Sequence, residues 1–173
     1  KAYGVTGVQG LLAVQFNAYQ PDSLVGIQVH FVPSVVDVST NLFLLTVWGD
    51  DNGEPGAVLY EYEFFYPRLP EYTHGRNVFK TYYFKYTMRV GVGETFYIGM
   101  RQIDEERLNI GFDANHDNSD KVFWSIDGGG NWYNASYSGS VMMRTLITSK
   151  MDYQLGLPDF TVEEIDLDFT VYP

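Results

Sequence analysis

Apolar and polar residues alternate along most of the chain. Alternation with a period of two places successive side chains on opposite faces, so it predicts half-buried β-strands. The alternating runs lie at 12–16, 25–31, 58–64, 82–90, 96–100, 108–112, 122–126, 141–147 and 165–171. A further run at 42–48 is apolar on both faces, which is typical of a strand in the middle of a sheet. The pattern therefore predicts about ten strands.

Clusters of Gly, Asp, Asn and Pro separate these runs, for example at 51–56, 91–93 and 127–130. No stretch has the 3.6-residue periodicity of an amphipathic helix. Short strands joined by frequent turns favour an all-β fold, a two-sheet antiparallel β-sandwich of jelly-roll type. A closed barrel is the alternative that the same pattern allows.

The alternation is interrupted once, at 149–159. We expect a single β-sandwich accessory domain over residues 1–150, because its length suits one domain. Residues 151–173 are acidic and alternate again near their end. They are predicted to be a final strand or a linker toward a segment beyond Pro173.

Composition excludes several function classes. The 173 residues carry a formal net charge of −11, and nucleic-acid binding begins with Lys and Arg on phosphates, so we expect no nucleic-acid partner. No apolar run approaches the length of a membrane span, so we expect no membrane insertion. The chain has no cysteine, which excludes disulfides, thiolate catalysis and Cys-ligated zinc.

Glu61 and Glu63 are the candidate catalytic pair, because two carboxylates on a concave sheet can hydrolyse glycosides. The simpler interpretation places both in solvent, since half-buried strands alternate in this way. The buried face of the same strand would then hold Val58, Tyr60, Tyr62 and Phe64. No zinc-ligand histidine spacing, nucleophile elbow or phosphate loop is present. We therefore expect no catalytic residues and no enzyme.

The strongest metal-ligand pattern lies between two predicted strands. Asp113, Asn115 and Asp117 alternate as in the opening of an EF-hand loop, and Asp120 follows closely. The closing glutamate of such a loop is missing. We predict a structural calcium site at these four residues, and no other cofactor. The alternative, which can coexist with it, is an Asn/Asp-rich turn.

Trp132 and Tyr133 follow a flexible glycine-rich turn. Exposed aromatic rings can stack on sugar rings, so these two residues are the candidate ligand-binding pair of a carbohydrate-binding module. The alternative is a tryptophan that packs at the start of a strand.

Several segments together resemble the β-sandwich domains that precede the C-terminal type A sorting signal in type IX-secreted proteins of Bacteroidota. The resembling segments, in chain order, are WGDDNGEPG at 48–56, FYIGMRQ at 96–102, LNIGFD at 108–113, Asn131-Trp132 and GSVMMR at 139–144. The last residues, 167–173, are similar to the lead-in to such a sorting domain, which typically opens with Tyr-Pro-Asn-Pro. This resemblance implies that the sorting domain itself follows Pro173.

The resemblance implies a non-catalytic accessory or adhesion module of a secreted or cell-surface bacterial protein. Its partner would be the type IX secretion machinery, and no ligand is implied, because such domains accompany proteases, hydrolases and adhesins. Asp22-Ser23-Leu24 resembles the O-glycosylation acceptor pattern of the same phylum, so Ser23 is a candidate glycosylation site. A carbohydrate-binding module is the alternative function, with glycans as partners, and a jelly-roll glycosidase is the third.

Overall fold

The computed structural model describes residues 1–7, 10–20, 22–69, 78–85 and 88–147. The predicted boundary at 149–159 and the segment 151–173 lie outside these ranges. The described strands are β1 (Ala2–Tyr3), β2 (Leu11–Asn17), β3 (Asp22–Val29), β4 (Phe43–Asp51), β5 (Glu54–Tyr60), β6 (Phe64–Phe65), β7 (Lys80–Tyr83), β8 (Val90–Val92), β9 (Thr95–Gln102), β10 (Ile110–Asp113), β11 (Val122–Ser125), β12 (Tyr133–Asn134), β13 (Ser140–Val141) and β14 (Met143–Ile147). A 3₁₀ turn at Ser119–Lys121 precedes β11. Within the described ranges, no helix has the length and apolar character needed to cross a membrane.

The larger sheet contains the longest alternating runs. Its hydrogen-bonded order is β12-β11-β2-β9-β4-β5, and β6 also pairs with β4. Every pair is antiparallel, and β9 pairs along its length with both β2 and β4. The run that is apolar on both faces forms β4, which lies between β9 and β5. The prediction of a mid-sheet strand there is therefore confirmed.

The opposing layer consists of two smaller groups of strands. One has the order β14-β3-β7, with β8 also on β3, and the other has the order β1-β10-β13. His30 donates its backbone N–H to Met142 O at 3.1 Å, and Gly111 donates to His30 O at 2.8 Å. These hydrogen bonds join the two groups. Met142 alone separates β13 from β14, so one continuous segment contributes a strand to each of the two groups.

The core lies between the two layers. The larger sheet contributes Leu12, Val14, Phe43, Leu45, Val47, Tyr60, Phe96, Ile98, Met100 and Val122, and the opposing layer contributes Leu24, Ile27, Val29, Tyr82, Val90, Val92, Ile110, Phe112, Val141 and Met143. Rings of Phe31, Phe43 and Tyr82 meet with centroids 5.4 to 6.0 Å apart. Successive strands such as β2, β3 and β4 cross between the layers. The predicted antiparallel β-sandwich of jelly-roll type is confirmed.

The predicted buried face of the run 58–64 is wrong in part. Tyr60 is buried, but Val58, Tyr62 and Phe64 are exposed. The pairing of β4 with β5 shifts register at two places, and β5 ends at Tyr60. The shift next to Val58 adds an unpaired residue, so Val58 and Tyr60 occupy opposite faces, whereas Tyr62 and Phe64 lie beyond the end of β5. Strict alternation could not anticipate this reversal.

Candidate functional site

The outer face of the larger sheet carries a second apolar cluster. Its buried members are Leu11, Ala13, Trp48, Tyr97 and Phe123. Trp132 packs against this cluster and meets Trp48 edge-on, with ring centroids 5.6 Å apart. Ala13 is the smallest member of this cluster and is fully buried within it. The alternative interpretation, a packed tryptophan, therefore describes Trp132.

The glycine-rich turn after β11 is held by hydrogen bonds of its own. Ser125 donates its hydroxyl to Asp127 Oδ1 at 2.7 Å, and Gly129 donates its N–H to Ser125 Oγ at 3.0 Å. Asn131 donates its N–H to Asp127 Oδ1 at 3.0 Å and its Nδ2 to Oδ2 at 2.6 Å. Gly129 has φ of 95°, which glycine adopts without strain. The hydrogen bond from Ser125, and then those from Asn131, lower the pKa of Asp127.

Tyr133 lies on the opposite face of the sheet from Trp132. It pairs with Trp124, and their rings lie 4.8 Å apart at 30°. Trp124 in turn pairs with Leu12, whose side chain belongs to the core. Directly paired residues share a face, so Tyr133 and Trp132 point in opposite directions. The structure does not bring the two predicted ligand-binding rings together on one surface.

Glu61 is engaged by two neighbours on the outer face of the larger sheet. Arg101 Nε donates to Glu61 Oε1 at 2.9 Å, and Thr46 donates its hydroxyl to the same oxygen at 2.8 Å. The Arg101 and Glu61 side chains are 23% and 19% exposed, so water is largely displaced from the pair. Glu63 lies beyond the end of β5 and is partly buried. Glu61 thus links β4, β9 and the segment that follows β5.

Asp113 uses both carboxylate oxygens within its own loop. Its Oδ1 accepts the backbone N–H and the Nδ2 of Asn115, each at 2.9 Å. Its Oδ2 lies 2.8 Å from His116 Nδ1. The contact with His116, followed by the hydrogen bond from the Asn115 backbone, lowers the pKa of Asp113. Such side-chain caps are typical of an Asn/Asp-rich turn.

Asp117 joins this loop to a second one. Its Oδ1 accepts the N–H and hydroxyl of Ser119, at 3.0 and 2.8 Å, and the N–H of Gly139 at 3.1 Å. Ser138 donates its hydroxyl to Asp117 Oδ2. The Ser138 hydrogen bond first, and the Ser119 bonds next, lower the pKa of Asp117 well below its usual value. One carboxylate therefore fastens residues that lie about twenty positions apart.

Calcium at this loop stays a prediction. Across the part of the chain that the structure describes, no three His, Cys, Asp or Glu side chains are grouped so as to hold a metal. Asp120 offers its backbone oxygen to Asn134 Nδ2 at 2.9 Å. Calcium would compete with the donors that Asp113 and Asp117 already hold, because it would bind the same carboxylate oxygens.

The predicted glycosylation residue, Ser23, lies near the start of β3. It pairs with Gly91 of β8, and its side chain is partly exposed. Its backbone N–H donates to Asp22 Oδ1 at 2.7 Å. Glycosylation of Ser23 also stays a prediction.

A cleft of about 400 Å³ opens between the N-terminal segment and the end of β11. Its walls include Tyr3, Arg107, Trp124, Ser136 and Tyr137. The volume lies within the range of about 300–1,000 Å³ that small-molecule sites occupy. Aromatic walls with a few polar groups are also typical of such sites. This cleft is the candidate binding site of the chain.

Two aromatic walls of the cleft, Trp124 and Tyr3, are held in place by their surroundings. Trp124 donates its indole N–H to Asn134 O at 3.2 Å, which fixes the ring. Tyr3 stacks on Phe112 with ring centroids 5.5 Å apart. Burial, and then the neighbouring Tyr137, raise the pKa of Tyr3 above its usual value. The Tyr3 hydroxyl therefore stays protonated, and able to donate, at neutral pH.

Arg107 and Tyr137 complete the cleft. Arg107 Nε donates to Asn109 Oδ1 at 3.0 Å, which orients the guanidinium plane. A Cβ at Gly4 would lie 2.8 Å from Arg107 Cγ, so the N-terminal segment fits closely against the arginine stem. Tyr137 is 71% exposed and leaves its ring open to solvent. The cleft thus combines apolar ring faces with hydrogen-bond donors.

The sequence pattern does not reveal this cleft. Tyr3, Arg107, Trp124 and Tyr137 come from separate segments, and only the sandwich brings them together. The available signal is the aromatic-rich stretch from Trp124 to Tyr137, which also contains the predicted rings. That signal indicates the region of the chain and leaves open which rings face a ligand.

No protein-family model matches the chain, and neither a curated protein nor a solved structure matches it significantly. The resemblance to domains that precede a sorting signal therefore depends on the residues given above.

Proposed function

We propose that this chain is a non-catalytic accessory or adhesion module of a secreted or cell-surface bacterial protein. The observation that supports a binding role is the preformed cleft walled by Tyr3, Trp124 and Tyr137. The rings of Tyr3 and Trp124 are held by their neighbours before binding, so they lose little side-chain entropy when a ligand enters, which favours affinity. The Glu61 carboxylate accepts a hydrogen bond from Arg101 within the sheet. This arrangement supports a structural role for Glu61 and not a catalytic one.

Export by the type IX system is part of the same proposal. Its support is the resemblance at 48–56, 96–102 and 108–113 and the similarity of 167–173 to the lead-in to a sorting domain. The net charge of −11 suits a protein that must remain dispersed outside the cell. The secretion machinery would recognise the sorting signal, and the sandwich would be exported as part of the same chain.

Surface display and adhesion test this proposal. An epitope tag is inserted at the exposed Asn52-Gly53 turn of the natural gene product, because exposed hairpin tips tolerate insertions. The tagged protein is expressed in Bacteroidota cells with and without a working type IX translocon. We expect surface labelling only with the translocon, and weaker adhesion to polysaccharide-coated and protein-coated plates when residues 1–147 are deleted. Retention inside cells that have the translocon, or unchanged adhesion, would contradict it.

A second experiment tests the absence of catalysis. The purified chain is assayed on chromogenic β-glycosides beside Glu61→Gln and, as a matched exposed control, Glu54→Gln. We expect no turnover above buffer for any of the three. Turnover by the parent that Glu61→Gln abolishes and Glu54→Gln retains would make the chain a glycosidase.

The alternative function, a carbohydrate-binding module, needs a different set of rings from the predicted pair. Trp132 packs on Trp48, whereas Tyr133 faces the side of the sheet on which Trp124 lines the cleft. Carbohydrate binding is therefore compatible with this chain if the cleft supplies the platform.

A further inference from the structure

We propose that the cleft walled by Tyr3, Trp124 and Tyr137 binds a neutral oligosaccharide, with one pyranose ring lying against the aromatic side chains. The inference rests on the binding role proposed above and adds the site and the class of ligand. The cleft has the size of a small-molecule site, about 400 Å³, and opens to solvent at the end of β11.

The chemistry of a pyranose ring matches the two kinds of surface in the cleft. A pyranose has apolar C–H faces and a rim of hydroxyl groups that donate and accept hydrogen bonds. Trp124 and Tyr137 present flat apolar surfaces for the face. Arg107 and the hydroxyls of Thr6 and Ser136 also line the cleft and can bond the rim. A purely apolar ligand would displace water from these polar groups without replacing its hydrogen bonds, which costs free energy.

The Trp124 ring is held in position before a ligand binds. Its backbone pairs with Leu12 on one side and Tyr133 on the other, so its position is set by two strands. The ring packs at 4.8 Å on Tyr133, and the indole N–H is already bonded to Asn134 O. Binding therefore requires no rearrangement of this ring, and the indole N–H is not left unsatisfied by an apolar ligand face.

The net charge of the protein favours neutral ring-containing ligands over anionic ones. Nucleic acids and polyuronates carry a negative charge on every unit, and the chain has a net charge of −11. Arg107 is the one cation in the described wall of the cleft, so it cannot neutralise a polyanion. A neutral saccharide avoids that repulsion and still uses the guanidinium as a planar donor of hydrogen bonds.

Titration of the whole chain with defined hexasaccharides tests the inference. The probes are cellohexaose, laminarihexaose, xylohexaose, mannohexaose and chitohexaose, with hexagalacturonate as the charged comparison and a Tyr/Pro-rich decapeptide as the peptide comparison. Calorimetry measures affinity, and intrinsic fluorescence reports the tryptophan environment. We expect at least one neutral hexasaccharide to bind, with a shift of the tryptophan emission.

Two variants assign the binding to the cleft. Tyr137→Ala removes an exposed ring and is expected to weaken binding about tenfold, whereas Tyr19→Ala, which removes a fully exposed tyrosine outside the cleft, should change it less than about twofold. Trp124→Phe keeps an aromatic ring in β11 and should remove the ligand-dependent emission shift, because Trp48 is buried and Trp132 lies on the outer face. Equal melting temperatures of parent and Tyr137→Ala show that the fold is intact.

Several results would overturn the inference. These are no binding of any neutral hexasaccharide, unchanged affinity of Tyr137→Ala, an emission shift that survives in Trp124→Phe, or binding of the decapeptide alone. Binding of hexagalacturonate alone that disappears at about 0.5 M salt would make the cleft an anion site instead. If displayed cells still adhere to protein-coated plates while the purified chain binds no saccharide, the inference fails and the proposed adhesion role stands.

Discussion

Replacing Trp132 by alanine tests whether the outer face of the larger sheet is a packed surface. A fully buried tryptophan covers about 200 Å², and Trp132 is partly buried against its cluster. Burial of about 100 Å² at about 25 cal/mol/Å² stabilises the fold by about 2.5 kcal/mol. The edge-on contact with Trp48 adds about 1 kcal/mol. Residual burial in the unfolded chain removes part of this sum, so we expect a loss of about 2–3 kcal/mol.

Urea denaturation followed by circular dichroism measures this loss. The midpoint of Trp132→Ala should fall while the slope stays that of the parent, because the truncation changes stability and not the extent of unfolding. The melting temperature should fall by about 4–12 °C for a domain of this size. Tyr133→Ala is the matched control, since Tyr133 is 50% exposed and lies on the other face. Its truncation should cost less than about 1 kcal/mol.

The packing argument would be refuted by a loss below about 0.5 kcal/mol for Trp132→Ala. It would also be refuted if Trp132→Ala and Tyr133→Ala lost equal stability. The same variant separates packing from ligand binding, because Trp132→Ala should retain the saccharide affinity of the parent at a temperature where both are folded.

Three further predictions concern the sheet, the carboxylates and the acidic loop. Gly99→Ala should destabilise by about 3 kcal/mol, because a Cβ would overlap a backbone carbonyl oxygen of β2, whereas Gly91→Ala, with nothing within 4 Å, should be neutral. Equal melting temperatures of these two variants would show the close approach to be wrong. Asp117 and Asp127 have lowered pKa values when folded, so the stability they contribute is present above the unfolded value of about 3.9 and is lost as pH falls below it. The melting temperature of the parent should therefore drop as the pH falls below about 4. The drop should be less steep in the double variant Asp117→Asn/Asp127→Asn. Parallel curves of melting temperature against pH for the two proteins would contradict this. If the loop binds calcium, the parent should melt at a higher temperature in millimolar calcium than in chelator. The double variant Asp113→Ala/Asp117→Ala should melt at the same temperature in the two solutions. The same result for the parent would show that the loop is an ordinary turn.

Alternation was sufficient to locate the main strands of the sandwich. The run at 12–16 became β2 and the run at 96–100 became β9, and both place their apolar members in the core. This works because a strand buried on one face must point alternate side chains toward the core. It fails at 58–64, where a register shift in the pairing of β4 with β5 puts Val58 on the opposite face from Tyr60, and where β5 ends before the exposed Tyr62.

The candidate sites were less predictable than the strands. The pattern around Trp132 allows both an exposed ring and a packed ring, and the difference lies in whether the cluster around Trp48 is its neighbour. The carboxylates of Asp113 and Asp117 are compatible with calcium ligands and with turn caps. Their donors include Ser138 and Gly139, whose proximity depends on the pairing of β10 with β13.

The sequence by itself determined the all-β class, the position of most strands, the acidic character and the positions of the turns. These properties are local, because side-chain direction and turn chemistry depend on neighbouring residues along the chain. The tertiary structure alone decided which face Trp132 covers and that Tyr3, Arg107, Trp124 and Tyr137 share one cleft. The cleft brings together positions more than a hundred residues apart, such as Tyr3 and Trp124. It exists only after β1 pairs with β10 and β11 pairs with β2, and no local pattern encodes that register.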